Sequence, residues 1–273
     1  MSAVPATPNV PADVGDSPFV RCTRDARGVV TLTLDRPRSF NALSERMLEA
    51  LQERLDEVAR DGTARVVVIA AEGKAFCAGH DLKQMRAEPS QAYYEALFAR
   101  CARTMLALQR LPVPVIARVH GLATAAGCQL VAACDLAVAS SDARFAVSGV
   151  SLGLFCSSPS VALSRNLQPK AAFEMLVTGE FVSAEEAKAK GLVNRVAPPE
   201  RLGAEVEALV ASIVAKPRVA IAMGKALFYR QLESGVAAAY EDAGRTMAEN
   251  MMDASALEGV QAFIDKRKPD WPR

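Results

Sequence analysis

The chain has 273 residues, of which 51% are hydrophobic and 23% charged, so it can form one large domain or a domain with a small appendage. Its formal net charge of +1 argues against electrostatic attraction to nucleic acid or to an anionic membrane surface. An aromatic content of 5% also argues against a base-stacking platform.

The chain begins with a segment, residues 1–18, that is rich in Pro, Ala and Val and contains no basic residue. This composition predicts a disordered tail and excludes an arginine-rich transit peptide. No later run is apolar for long enough to span a membrane, and we therefore expect a cytoplasmic protein.

After this tail, strands and helices alternate along the chain. Apolar and β-branched runs predict strands at Val29–Asp35, Arg65–Ala71, Val115–Val119, Asp135–Ala139 and Leu192–Val196. Helical spacing of apolar residues predicts helices at Ser44–Val58, Ser90–Gln109, Gly127–Ala133, Pro217–Phe228 and Ser255–Ile264. Ser44 is expected to cap the first of these helices, and Ser255 and Glu258 have the spacing of a capping box in the last. The spacings are typical of parallel crossovers, which predicts an α/β core followed by helices.

The cysteines do not form a recognisable ligand pattern. None of the six lies in a C-x-x-C pair, and with only two histidines in the chain we predict no metal site. The even number allows disulfides, but in a chain this long and apolar we interpret the cysteines as small core residues in a reducing compartment.

Two runs of small residues follow strand-like segments, at Lys74–Lys83 and at Val119–Leu130. Small residues allow a ligand to approach the backbone, so that main-chain N–H groups can act on it. Two such turns that face each other would hold one carbonyl oxygen with two N–H donors. The second run ends in an amide, Gln129, where an acid–base enzyme would need a carboxylate.

These two runs resemble the two oxyanion-hole segments of the crotonase (enoyl-CoA hydratase/isomerase) superfamily. Supporting stretches occur in the same order at residues 36–43, 133–136, 192–196 and 263–269, so the likeness extends from about Val29 to Trp271. Residues 121–129 and 153–157 are most similar to the enoyl-CoA hydratase domain-containing group. The resemblance implies an α/β fold, a crotonase-like spiral of β-β-α turns in residues 19–200. It also implies a helical region in residues 201–273 that takes part in forming homotrimers or dimers of trimers.

The resemblance further implies binding of an acyl-CoA thioester. The backbone N–H groups of His80 and Ala126 would hold its oxygen, and Gln129 would lie beside the acyl group. The implied CoA cradle consists of Arg38, Ser39, Phe40 and Ala42 in one segment and Ala78, Asp81, Leu82 and Lys83 in another. Ser148 and Ser151 would line the acyl pocket. CoA is then part of the substrate, no separate cofactor is expected, and fatty acid metabolism is the expected setting.

Three basic residues near the C-terminus, Lys266, Arg267 and Lys268, have two interpretations. They either reach the CoA phosphates across a subunit boundary or form a solvated helix end.

The resemblance also implies two positions for the glutamates that the family's hydratases use, and these positions are occupied by Gln129 and Gly149. Glutamine does not take up a proton near neutral pH, and glycine has no side chain. General acid–base catalysis is typically worth about 10²–10⁴-fold, so ordinary hydration is expected to be weak. Asp81 and His120 are interpreted as mainly structural, whereas the His80 ring either packs in its loop or turns toward the acyl group.

Three functions remain open at this point. The first is an atypical enzyme on a CoA thioester, performing isomerisation, thioester hydrolysis or slow hydration. The second is a non-catalytic acyl-CoA-binding or assembly partner. The third, a serine hydrolase using Ser151 in the G-x-S-x-G run at residues 149–153, is disfavoured because no histidine follows His120 in the chain.

Overall fold

The computed structural model describes residues 18–271, and the predicted tail at residues 1–18 therefore lies, except for Pro18, outside the described residues. The strands are β1 Val20–Arg24, β2 Val29–Leu34, β3 Val66–Ala71, β4 Ala75–Cys77, β5 Val115–Val119, β6 Leu122–Thr124, β7 Leu136–Ser140, β8 Arg144–Ala146, β9 Val182–Ser183 and β10 Arg195–Ala197. The helices are α1 Glu45–Arg60, α2 Leu82–Ala87, α3 Gln91–Arg110, α4 Ala126–Ala133, α5 Ser157–Asn166, α6 Pro169–Thr178, α7 Ala184–Ala189, α8 Leu202–Val214, α9 Arg218–Gln231, α10 Val236–Met251 and α11 Ala254–Ile264.

The larger sheet has six strands in the order β1-β2-β3-β5-β7-β10. Only β1 runs antiparallel to its neighbour, and the other pairings are parallel, as the crossover spacings predicted. β3 is apolar throughout because helices cover both faces of the sheet. Leu202, Val206 and Val210 of α8 cover one face, while α1 and α3 belong to the main core on the other.

A second sheet has the order β4-β6-β8-β9, in which β4, β6 and β8 are parallel and β9 is antiparallel to β8. Its strands have only two or three residues each, so they lack the long apolar runs by which strands are detected in a sequence. β4 and β6 lie inside the two runs of small residues, directly before the turn of each run. This second sheet therefore determines where the two turns lie.

Helix α4 packs directly against β4, and a glycine permits the contact. A Cβ atom added to Gly127 would lie 2.1 Å from the carbonyl oxygen of Cys77, a distance that real Cβ atoms do not adopt. Every residue of α4 is buried.

Two predicted element ends are wrong. The last helix is capped by Asp253, whose carboxylate accepts a hydrogen bond from the N–H of Ser255, so the capping box of Ser255 and Glu258 does not form. The predicted strand Leu192–Val196 is a strand only from Arg195. The side chain of Asn194 accepts a hydrogen bond from Ala137 N–H at 2.8 Å and thus takes a position that a strand backbone would otherwise fill.

Helix α9 is joined to the core by an ion pair whose side chains are largely shielded from solvent. Lys225 of α9 donates to a carboxylate oxygen of Asp135 at 2.6 Å, and Tyr229 donates to the other oxygen at 2.7 Å. Burial lowers the pKa of Lys225, while the nearby Asp135 charge opposes that shift. Within residues 18–271, no helix combines the length and apolar character needed to cross a bilayer.

The outer faces of α9, α10 and α11 are apolar but largely uncovered in the single chain. α9 and α10 contain no buried residue, and α11 contains only Ala262. Large exposed apolar side chains on or next to these helices are Phe228, Leu232, Val236, Tyr240, Met247, Met251, Met252, Leu257, Val260, Phe263 and Ile264.

Replacing Gly127 with Ala tests the packing of α4 on β4. We expect Gly127→Ala to lower the free energy of unfolding by about 1–3 kcal/mol, because the added methyl group forces α4 away from the Cys77 carbonyl. Urea denaturation followed by circular dichroism measures the change. Gly203→Ala in α8 is the matched control, since a Cβ atom there meets nothing within 4 Å, and no loss of stability is expected. Equal stability of the two variants would contradict the close contact.

Candidate functional site

The two turns of small residues lie next to each other at one edge of the second sheet. β4 and β6 are parallel neighbours with Cys77 opposite Ala123, so both chains leave the sheet on the same side. The hydroxyl of Thr124 donates to the carbonyl oxygen of Ala78 at 3.0 Å and joins the turns directly. The side-by-side arrangement expected from the sequence is therefore present.

Gly79 brings the backbones of the turns into contact. Its φ of +88° is unfavourable for residues with a side chain, and a Cβ atom there would lie 3.2 Å from the backbone nitrogen of Ala126. Standard bond lengths then place the nitrogens of His80 and Ala126 at most about 7 Å apart. Two donors that share one oxygen at about 2.9 Å are separated by up to about 5.8 Å, so this spacing is compatible with a shared acceptor.

Both N–H groups are free to donate. Within residues 18–271, neither the N–H of His80 nor that of Ala126 has a hydrogen-bond acceptor. Ala126 is the first residue of α4, where an N–H has no partner inside the helix and the helix end carries partial positive charge. The turn before it is strained, because Ala125 adopts φ 49° and ψ −119°, a conformation that normally needs glycine.

Gln129 lies one turn along α4 and is 4% exposed. Its Oε1 is buried and has no hydrogen-bond partner among the described residues. An unpartnered buried acceptor typically costs about 1–3 kcal/mol, and a bound group with a hydrogen to donate would recover part of that cost. As an amide, the Gln129 side chain does not exchange a proton near neutral pH.

Gly149 has no room for a side chain. A Cβ atom there would lie 2.3 Å from the carbonyl oxygen of Leu154 and 2.7 Å from Sγ of Cys156. The backbone N–H of Leu154 also donates to the carbonyl oxygen of Gly149 at 2.9 Å, which holds the segment in place. A glutamate therefore cannot be restored at this position without moving residues 154–156.

The ring of His80 is half-buried between the loop before α1 and helix α3. Its Nδ1 lies 3.3 Å from the carbonyl oxygen of Leu43, and its ring meets that of Phe98 edge-on at 5.5 Å. Burial lowers the pKa of His80, partly offset by the contact with the Leu43 carbonyl. The lowered pKa favours the neutral form of the imidazole.

Asp81 is occupied in capping the short helix α2. Its Oδ1 accepts hydrogen bonds from the N–H groups of Lys83 at 2.9 Å and Gln84 at 3.2 Å. This contact agrees with the interpretation of Asp81 as mainly structural.

The two segments predicted to form a cradle run side by side. Ala78 N–H donates to the carbonyl oxygen of Phe40 at 3.0 Å, and Leu43 N–H donates to that of Gly79 at 2.7 Å. Phe40 and Leu82 are 52% and 53% exposed, so each presents an apolar surface beside the turns. The side chains of Arg38, Ser39 and Lys83 are exposed, whereas Ala42 and Ala78 are partly buried.

Three further residues considered in the sequence analysis make contacts that do not involve the two free N–H groups. Ser151 is exposed in a 3₁₀ helix, Ser148–Leu152, that packs against Gly179, and neither histidine forms a hydrogen bond to it. A strand–turn–helix elbow for a serine nucleophile is therefore not formed there. His120 Nε2 lies 2.9 Å from the carbonyl oxygen of Gly73, a structural contact. Arg267 pairs with Glu258 at 2.6 Å, which favours the solvated helix end for this residue.

Three residues that organise the site were not singled out from the sequence. Asn41, fully buried, donates to the carbonyl oxygens of Glu72 and Ala75 and accepts from Arg36 N–H. Thr124 joins the turns, and Phe98 supports the His80 ring. Asn41 carried a usable signal, because asparagine tolerates left-handed backbone and its φ is 53°. The other two depend on contacts between distant segments.

Comparisons with known proteins agree with this architecture. A model of the enoyl-CoA hydratase/isomerase family matches residues 24–273. The enoyl-CoA hydratase domain-containing protein 3 of Rattus norvegicus, named as mitochondrial, is 43% identical over 96% of this chain and 87% of its own length. A crystal structure of a Mycobacterium smegmatis enoyl-CoA hydratase is 70% identical, with a TM-score of 0.93 over 93% of this chain and 99% of that one. The crystal structure of the human domain-containing protein 3 gives a TM-score of 0.89 at 42% identity over 93% of this chain and 100% of that one. The chain, with its parallel sheets and crotonase-like fold, therefore belongs to the enoyl-CoA hydratase/isomerase family.

Proposed function

We propose that this protein binds an acyl-CoA thioester, polarises its carbonyl oxygen with the N–H groups of His80 and Ala126, and catalyses an isomerisation rather than a hydration. The observation that carries the proposal is the pair of free N–H groups on adjoining turns. Charge that develops on a thioester oxygen during enolate formation is stabilised most by donors already fixed in place. Each such donor is typically worth about 2.7–4 kcal/mol of transition-state stabilisation.

The surface around the turns supports a CoA ligand. Phe40 and Leu82 offer apolar contact for a pantetheine chain, and the exposed cations Arg38 and Lys83 are available to its phosphates. Neither cation has a protein carboxylate partner in the described chain. In this proposal CoA is part of the substrate, and no further cofactor takes part.

The two altered positions argue against hydration. Adding water to a double bond requires one group to remove a proton from water and a group to deliver a proton to carbon. Gln129 does neither, and the space that a second acid would need at Gly149 is filled by Leu154 and Cys156. Moving one proton within an enolate intermediate needs only a single carrier.

A non-catalytic acyl-CoA-binding partner is the second candidate. The absence of a carboxylate at Gln129 favours it, since binding needs only the amides and the cradle. Acyl-CoA binding without chemical change of any thioester would select this alternative.

The exposed apolar helices indicate self-association. Eleven large apolar side chains are exposed on or next to α9, α10 and α11, and large exposed apolar patches mark interaction surfaces. We infer a homotrimer, alone or as a dimer of trimers. The cytoplasmic location inferred from the sequence stays a prediction, and the rat relative is named as mitochondrial.

A conjugated thioester tests the pair of amides. We expect 4-dimethylaminocinnamoyl-CoA to show a red-shifted absorbance band on binding, because two donors on its carbonyl pull charge toward the oxygen. Ala126→Pro replaces one N–H with a ring carbon, and the shift should be lost in variant protein that circular dichroism shows to be folded. Ala254→Pro at the first residue of α11 is the matched control and should retain it. An unshifted spectrum with saturated wild-type protein would refute the proposal.

Hydration should be weak in the wild-type protein. We expect crotonyl-CoA hydration to be at least about 10²-fold slower than in a family member that carries both glutamates, as loss of acid–base groups predicts. Gln129→Glu should raise the rate about tenfold or more by restoring one carboxylate. The hydration rate is measured by the loss of enoyl-thioester absorbance. Gln168→Glu, which makes the same change at an exposed position, is the control and should leave the rate unchanged. Wild-type turnover equal to that of the glutamate-bearing enzyme would contradict our interpretation of Gln129 and Gly149.

Self-association is tested at the most exposed apolar residue of α11. Sedimentation should give a mass of three or six times the 29.0 kDa chain. Phe263, 85% exposed, lies on the inferred contact face, and Phe263→Glu should shift the distribution toward monomer by burying a charge. Leu106→Glu on α3 changes another exposed apolar residue and should leave the mass unchanged. A wild-type monomer at micromolar concentration would overturn the inference.

A further inference from the structure

The imidazole of His80 is held in one tautomer. The carbonyl oxygen of Leu43 can only accept a hydrogen bond, so Nδ1, 3.3 Å away, is the nitrogen that carries the hydrogen. In the neutral ring, Nε2 then has the free lone pair. Burial lowers the pKa of His80, which keeps that lone pair available at pH 7.

The lone pair faces accessible space. Nε2 has no hydrogen-bond partner within residues 18–271, and it is not among the buried nitrogen or oxygen atoms that lack a partner. Since Nδ1 and the edge of Phe98 fix the ring, Nε2 is the accessible basic atom of this turn.

The position also suits a substrate bound as proposed. A thioester oxygen about 2.9 Å from the His80 nitrogen places the carbon next to the carbonyl within about 6 Å of that nitrogen. The N–H that holds the oxygen and the imidazole would then come from the same residue.

No other described group near the turns is suited to accept that proton. Asp81 caps α2, and Gln129 is an amide. Burial raises the pKa of both Cys77 and Cys128 to about 12, and burial with Glu45 nearby raises that of Tyr93 to about 12. These thiols and the phenol are therefore protonated at neutral pH and are poor bases.

We propose that the His80 imidazole is the proton carrier of this site. This proposal rests on the proposed function, because it needs a thioester bound by the two N–H groups. Nε2 takes a proton from the carbon next to the thioester carbonyl. The C–H electron pair forms a carbon–carbon double bond, and the carbonyl π pair moves to the oxygen held by the two N–H groups. The imidazolium then returns a proton, either to the same carbon or, in a 3-enoyl thioester, to the carbon at the far end of the conjugated system.

Exchange of hydrogen for deuterium measures this step without a net reaction. We incubate the full-length protein with butyryl-CoA in D2O and follow deuterium at the carbon next to the carbonyl by mass spectrometry. Wild-type protein should catalyse incorporation, and His80→Gln, which keeps the backbone N–H, should lower the rate at least about 10²-fold. His120→Gln makes the same change at the other histidine, whose Nε2 contacts only Gly73, and should keep the wild-type rate.

Two further measurements separate this role from a structural one. His80→Gln should still red-shift 4-dimethylaminocinnamoyl-CoA, and added imidazole should restore exchange to His80→Ala. Exchange by His80→Gln within threefold of wild type would overturn the proposal, as would a wild-type protein that shifts the chromophore but exchanges no deuterium. Failure of the wild-type protein to shift the chromophore would instead overturn the proposed function itself.

Discussion

The site depends on the contact between two turns that are far apart in the sequence but adjacent in space. Parallel pairing of β4 and β6 brings their ends together, and two glycines allow the final approach. Gly127 lets α4 press on the Cys77 carbonyl, and Gly79 lets its own turn meet the nitrogen of Ala126. A side chain at either position would push the turns apart. The close spacing of the two N–H groups therefore requires glycine at both positions.

Because the proposed donors are backbone groups, oxygen binding is separable from proton transfer. The N–H groups of His80 and Ala126 belong to the backbone, so no side chain at position 129 or 149 supplies them. In the proposed function, the absence of the two carboxylates removes hydration but leaves the thioester carbonyl polarised by the backbone. A different proton carrier would then change which reaction occurs, while the groups that bind the oxygen stay the same. Strain at Ala125 is consistent with this view, since the backbone there keeps an unfavourable conformation that aims the start of α4 at the neighbouring turn.

Much of the fold could be predicted from the sequence because the main sheet and the helices α1 and α3 consist of long segments with regular apolar patterns. The valine-rich run of β3 and the apolar spacing of α1 and α3 correspond to elements in the structure. The second sheet was missed because its strands are too short to show periodicity. Two element ends differ from the prediction because the side-chain oxygens of Asn194 and Asp253 accept hydrogen bonds from backbone N–H groups, which apolar patterns do not reveal. In the site, the small residues indicated the turns, but Thr124 and Phe98 act through partners 46 and 18 residues away, which a linear pattern does not reveal.

The crowding at Gly149 adds a constraint that alignment alone does not provide. A missing carboxylate suggests a lost group that substitution would restore, yet Leu154 and Cys156 occupy the space beside that backbone. Residues 154–156 can hold their present position only because residue 149 has no side chain. A substitution at Gly149 would therefore disturb the packing of several residues. A single substitution at Gly149 therefore does not make room for a carboxylate there, because residues 154–156 would also have to move.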